Sequence, residues 1–159
     1  MKIELTPIGI IHSPFRNPAG SPIQPSGAKG VKGSIEIFEE YRAGLRDLEG
    51  FSHIYLLYHF HRSTGYNLSV VPFMDTRPRG LFATRAPKRP NPIGLSIVRL
   101  DKVEDGRLYI QNVDVLDGTP LLDIKPFAPQ FDAQQEVRAG WLEQITSNVA
   151  EAKSDERFK

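Results

Sequence analysis

The chain has 159 residues, 40% of them hydrophobic and 25% charged, a balance that suits one globular domain with a single core and excludes a disordered chain. Its formal net charge of +1 excludes attraction to nucleic acid through bulk charge, so any such contact has to come from a local patch. Cysteine is absent, which removes disulfides, thiolate nucleophiles and Cys-ligated zinc or iron–sulfur centres together.

No apolar run approaches the ~20 residues of a bilayer-spanning helix. The opening Met1-Lys2-Ile3-Glu4-Leu5 lacks the charged-then-apolar plan of a signal peptide, so the sequence reads as cytoplasmic. Ile3, Leu5, Ile8, Ile10 and Ile11 make a β-prone start, with Pro7 and Gly9 marking an edge or bulge. From Ser13 to Gly33 prolines and glycines crowd a connection long enough to be either a functional loop or a disordered one. Residues 34–38 alternate as a strand. Glu39 to Glu49 carries Tyr41, Leu45 and Leu48 at helical spacing, with Gly50 as its stop. Phe51 to His61 is the strongest strand, with Ile54, Leu56, Tyr58 and Phe60 on one face and His53, Tyr55, Leu57, His59 and His61 on the other.

Short strands are expected within Asn67–Phe73 and Gly80–Thr84. Ile93–Val103 and Arg107–Val115 are apolar alternating runs joined through Glu104-Asp105-Gly106, a good hairpin signal. The Asp117-Gly118-Thr119-Pro120 turn leads into a strand over Leu121–Lys125, and a short helix is expected within Gln134–Ser147. Six or more strands with few helices predict a predominantly β domain, and closure into a barrel would dispose of its edges. Residues 1–148 read as that single domain and 149–159 as a charged, frayed tail.

The stretch from Asp75 to Ser96 reads as a binding site. Pro87, Pro90 and Pro92 remove backbone donors and stiffen it, leaving the Pro-Asn-Pro carbonyls as fixed acceptors, and Gly94 permits close approach. Arg77, Arg79, Arg85, Lys88 and Arg89 crowd it, with Asp75 its only acid. A stiff loop loses less entropy on binding. The plainer alternative is a solvated cationic face. His59 and His61 share a strand face but lack an evident third ligand, so no metal is expected. No Gly-x-Gly-x-x-Gly follows a strand, there is no Walker-type loop, and no nucleophile elbow surrounds a serine.

Four motifs carry a resemblance: Ile8 to Phe15, Leu48 to Ile54, Phe82-Ala-Thr-Arg-Ala-Pro-Lys-Arg-Pro-Asn-Pro-Ile-Gly-Leu-Ser96, and Val115-Leu-Asp-Gly-Thr-Pro-Leu-Leu-Asp-Ile-Lys-Pro-Phe127. Together they resemble the YaeB/TsaA-like family, tRNA adenine N6-methyltransferases acting on threonylcarbamoyl-adenosine beside the anticodon. The resemblance implies a single-sheeted β-barrel with a long N-terminal loop and one or two short helices, S-adenosylmethionine as methyl donor, and a homodimer. It implies a donor held by Pro22, Ile23 and Gln24, by His61 with Arg62, by Arg85 with Leu95, and by Asp117, Gly118, Thr119 and Pro120. Ile23 departs from the Arg usual in the family, and the extra C-terminal domain of the fuller bacterial pattern is not expected. Asp117 and Asn91 are the candidates for the chemistry, since an acceptor for the amine N–H is needed there. Arg77, Arg79, Arg89 and Lys125 are the candidates for substrate, because an arginine fork suits both a carboxylate and anticodon-loop phosphates. Two rivals stay open: a methyltransferase of this fold acting on a small amine, and a non-catalytic barrel that binds nucleotide or RNA.

Overall fold

The fold is given by a computed structural model that describes residues 1–23 and 25–145. Six strands close into a barrel in the order β1 (Gly9–His12), β2 (Lys32–Ile37), β7 (Arg107–Gln111), β6 (Ile93–Glu104), β3 (His53–His59) and β8 (Thr119–Pro126), and β8 returns to β1. Every pairing is antiparallel. Two further strands, β4 (Ser69–Val70) and β5 (Arg79–Gly80), form a small separate ribbon. The expected barrel is therefore present, with this ribbon added.

Alternation sets the inside and outside of the wall. Ile11, Ile35, Ile37, Ile54, Leu56, Val98, Leu100, Leu108, Ile110 and Leu121 fill the interior, joined by Tyr58 and by Val113 and Val115 from the 112–118 connection. The long β6 serves two neighbours: its first half pairs with β3, its second with β7. Asp105 and Gly106 close that hairpin with φ of 50° and 76°, the paired positive values of a tight primed turn. At Gly94 the reason for glycine is space: an added Cβ would lie 2.1 Å from Cε2 of Tyr58, its direct partner across β3. The close approach expected there is thus made by the chain's own tyrosine ring.

The predicted helices shrink. Glu39–Leu45 and Leu48–Gly50 are 3₁₀ turns, interrupted by Asp47 in the left-handed region at φ 68°. Within Gln134–Ser147 the described part holds only a 3₁₀ turn, Gly140–Gln144, while a one-turn α1 (Pro129–Asp132) precedes it unforeseen. The expected domain limit at 148 and the tail 149–159 lie outside the described residues, as does Gln24. The Pro/Gly-rich connection after β1 is anchored: Ala28 is fully buried, and Gly30 N–H donates to Asn112 Oδ1 at 2.8 Å.

Candidate functional site

The C-terminal ends of β1, β3 and β7 and the starts of β2, β6 and β8 share one end of the barrel, and the three long connections 13–31, 60–92 and 112–118 all leave from it. This mouth carries two polar clusters.

The first is solvated and centres on Asp117. Its Oδ1 accepts from the Ser13 N–H at 3.1 Å and lies 3.5 Å from His12 Nδ1, while Oδ2 lies 3.4 Å from Arg16 Nη1. Backbone bonds seat the turn: Asp117 N–H donates to Phe15 O at 2.7 Å and Gly118 N–H to Ile11 O at 2.9 Å. Thr119, the first residue of β8, is buried with its hydroxyl donating to Leu116 O, and Pro120 follows opposite Ile10. Arg62 donates to Arg16 O at 2.7 Å, which joins the end of β3 to the cluster. His61 sits beside it; burial first, then the Arg62 charge, pushes its pKa down, so the ring is neutral at ordinary pH.

The second cluster runs inward: Tyr58 and Ser96 are buried, and Asp114 is half-buried. The Tyr58 hydroxyl and Ser96 Oγ are 2.9 Å apart, and Ser96 Oγ donates to Asp114 Oδ1 at 2.7 Å. Burial pushes the Asp114 carboxyl up to about 6, and the same effect drives the Tyr58 phenol well above its ordinary range. Arg85, from the proline-rich loop, stands near enough for its charge to favour both anions. Sequence reasoning named Arg85 but not Asp114, Ser96 or Tyr58 as site residues. The available signal was Ser96, a hydroxyl on the inward face of a strand whose other inward positions are Gly94, Val98 and Leu100.

The proline-rich loop differs from expectation in its wiring. Asn91 O accepts from the Ile93 N–H at 2.7 Å and Pro92 O from the Phe60 N–H at 2.8 Å, so these carbonyls are engaged within the chain and tie the loop to β3 and β6. Arg89 Nη1 donates to the carbonyls of Thr84 (2.9 Å), Ala86 (3.2 Å) and Leu81 (3.4 Å). Arg79 Nε donates to Asp75 Oδ2 at 2.7 Å, which holds that carboxyl below the usual range, and its guanidinium lies 5.5 Å from the Trp141 ring centre. Arg77 is exposed, its N–H on Asp75 Oδ1.

The structure thus gathers His61, Arg62, Asp117, Gly118, Thr119 and Pro120 at the mouth, with Arg85 beside Asp114. Pro22 and Ile23 are half-buried in the connection that leaves from the same end, and Asn91 is exposed just ahead of β6. Leu95 lies on the outer wall, opposite Leu57, and Lys125 sits further along that wall opposite Tyr55, 3.0 Å from Asp123. Lys125 is therefore not brought to the mouth. Among the described residues, no three His, Asp or Glu side chains gather to hold a metal ion.

Residues 10–133 match the model of the tRNA-methyltransferase O N-terminal domain. The chain is 55% identical to a probable S-adenosyl-L-methionine-binding protein of Pyrococcus abyssi, over 96% of this chain and 83% of that one. It is 39% identical to the tRNA (adenine(37)-N6)-methyltransferase of Mus musculus over 81% of this chain, which is 32% of the mouse protein. The crystal structure of TrmO from Pseudomonas aeruginosa superposes with a TM-score of 0.74 at 40% identity, covering 89% of this chain and 63% of that one. The chain thus spans under two thirds of the solved TrmO chain and about a third of the mouse enzyme. It belongs to the tRNA-methyltransferase O N-terminal domain family.

Proposed function

We propose that this barrel is an S-adenosylmethionine-dependent methyltransferase that methylates N6 of threonylcarbamoyl-adenosine beside the tRNA anticodon, working in the cytoplasm as a homodimer. The observation that carries the reading is likeness to TrmO across the barrel at 40% identity. The donor set suits a zwitterionic ligand with a cationic sulfur: the Asp117 carboxylate for positive charge, Arg62 and Arg85 for a carboxylate, and exposed Leu95 for an apolar ring face.

When bound, the donor supplies an electrophilic methyl group on a sulfonium, open to in-line displacement. That displacement creates little new charge, so holding the two reactants in line can supply much of the rate. In this reading Pro22, Ile23, Gln24, His61, Arg62, Arg85, Leu95 and the 117–120 turn hold the donor. Asp117 accepts the amine's N–H, with Asn91 orienting the base. The threonyl carboxylate and the flanking phosphates fall to Arg77, Arg79 and Arg89, and Lys125 extends the cationic surface along the wall. Arg79 and Arg89 also brace their own loop, so Arg77 is the more adaptable contact.

The outer wall supports the dimer. Ile93, Leu95 and Ile97 are 38%, 47% and 36% exposed in a row on β6, with Leu57 and Tyr55 opposite. A contiguous apolar stripe on a barrel exterior suits burial against a second copy. Sedimentation of Ile97→Glu as a monomer, against a dimeric parent, is the expected result.

The test of activity is mass spectrometry of nucleosides from bulk tRNA incubated with protein and donor. Threonylcarbamoyl-adenosine should gain one methyl. A methylated small amine with unchanged tRNA would move the substrate to that class, and donor binding absent at millimolar ligand would leave a non-catalytic barrel.

A further inference from the structure

Phe82 is 74% exposed, yet the 3₁₀ turn that carries it, Leu81–Ala83, is held from several directions. Leu81 is buried with Val70 and Ala86 in a small core of its own, and its N–H donates to Leu68 O at 2.9 Å. The Leu81 carbonyl accepts from the Thr84 N–H at 3.0 Å and from the Thr84 hydroxyl at 2.7 Å. Ala83 O accepts from Trp141 Nε1 at 2.8 Å. Arg89, fixed through Nη1 to the carbonyls of Leu81, Thr84 and Ala86, has its guanidinium over the Phe82 ring, 5.7 Å from the centre. All of the turn's bonds use backbone atoms or side chains other than Phe82, and a ring this exposed adds little by burial. The fold therefore does not account for an aromatic residue here.

The surroundings are cationic. From Asp75 to Ser96 the loop carries Arg77, Arg79, Arg85, Lys88 and Arg89 against one acid, and Asp75 is engaged by Arg79 at 2.7 Å. The 134–144 segment, docked through Trp141, adds Glu136, Arg138 and Glu143, and the Glu143 carboxylate is turned onto the Ala139 N–H at 2.7 Å. Arg77 and Arg85 are exposed. That balance favours a polyanion over an apolar protein surface, which would strip these cations of water without replacing it. A preorganised ring with a cation over it and arginines around it suits an unpaired base, which stacks on the ring while its phosphates meet the charges.

We propose that Phe82, held in place by Arg89 and the Leu81–Ala83 turn, is a stacking platform for an unpaired nucleotide of the tRNA. The proposal rests on the tRNA reading given above and adds to it the residue that senses an unpaired base. A paired stem hides its base faces, so a platform of this kind selects loops over stems without reading their sequence. Phe82 serves the RNA alone and contributes nothing to donor binding.

The experiment is fluorescence anisotropy of end-labelled bulk tRNA and of a blunt RNA duplex with the full chain, over a range of salt, for the parent, Phe82→Ala, Phe82→Leu and Phe82→Trp. Phe82→Ala should bind tRNA about tenfold more weakly, Phe82→Leu nearly as weakly, and Phe82→Trp at least as well as the parent. The slope of log affinity against log salt should stay at the parent's value in all three, because stacking releases no counterions; Arg77→Ala should lower it by about one. Binding of the duplex should not respond to residue 82, and neither should calorimetric affinity for S-adenosylhomocysteine. Parent-like tRNA binding by Phe82→Ala overturns the proposal, and a fully competent Phe82→Leu does so by marking a plain apolar contact. So do an equal loss on the duplex, a loss of S-adenosylhomocysteine affinity, and sedimentation of Phe82→Ala as a monomer beside a dimeric parent, which would give the ring to a second copy. If the parent binds no tRNA, the tRNA reading falls and the proposal with it; if the parent binds and the Phe82 variants match it, only the proposal falls.

Discussion

The two ends of the barrel are built from different materials. At the mouth the connections are long, rich in proline and arginine, and wired by side chains to one another. The far end is closed by the Asp105-Gly106 turn and by the 3₁₀ turns after β2, and α1 follows the end of β8 there. A shallow groove lies at that end, lined by Arg42, Leu45, Arg46, Glu49, Val103 and Gly106. Its Arg42 already donates to Ile37 O at 3.0 Å and rests on Gly106, where an added Cβ would come within 2.2 Å of Nε. Arg42 thus serves the fold. At the mouth, buried polar groups and a desolvated carboxylate are maintained at a cost to stability, and such strain is where function is expected.

That contrast can be broken most forcefully at two glycines. Gly94→Ala should cost about 3 kcal/mol, because the new methyl meets an aromatic ring held by its hydroxyl on one side and the barrel core on the other. Gly106→Ala meets only a flexible arginine and pays for its positive φ, about 1 kcal/mol. Urea unfolding of both variants measures the difference, and equal losses would erase the distinction between the ends.

Asp114→Asn sharpens it with the opposite sign. The folded carboxyl titrates at about 6, above its ordinary 3.8, so folding favours its protonated form. Its contribution to stability is therefore greatest below about pH 4, declines as pH rises toward about 6, and stays at its low value above that. The variant should be more stable than the parent by on the order of 2 kcal/mol at about pH 7.5 and no more stable at about pH 4. Unfolding midpoints at the two pH values decide it; a variant less stable at neutral pH would make the carboxylate a structural asset. Asp117→Asn should behave differently three residues along. Its ion pairs are solvated, so stability should change by less than about 1 kcal/mol while methyl transfer to tRNA collapses. Arg42→Ala is the smallest: donor affinity should stay within about 0.5 kcal/mol of the parent by calorimetry.

How much of this was legible depended on whether the signal was periodic or spatial. Alternation in β3, β6 and β7 and the Asp105-Gly106 turn are local patterns, and they placed the strands to within a few residues. The 3₁₀ turns were over-read as helices because Tyr41, Leu45 and Leu48 have helical spacing, while Asp47 in a left-handed conformation leaves no trace in composition. In the Pro-Asn-Pro run, missing donors were visible, but the N–H groups that occupy its carbonyls come from Ile93 at the start of β6 and from Phe60 just past the end of β3. Resemblance put Asp117 and Arg85 at the site. His12 and Arg16 meet Asp117 only through barrel closure, which brings together residues as far apart as Ser13 and Asp117, while Ser96 and Asp114 meet across the β6–β7 hairpin.

The most direct test of the claim that the mouth is the donor site is a nitrogen–proton correlation spectrum of the labelled chain titrated with S-adenosylhomocysteine. Shifts are expected only in the backbone amides of the non-proline residues within 12–16, 61–62, 85–96 and 114–119, with the 42–49 and 103–107 segments unmoved. Shifts centred on the Arg42 groove, with the mouth silent, would contradict it.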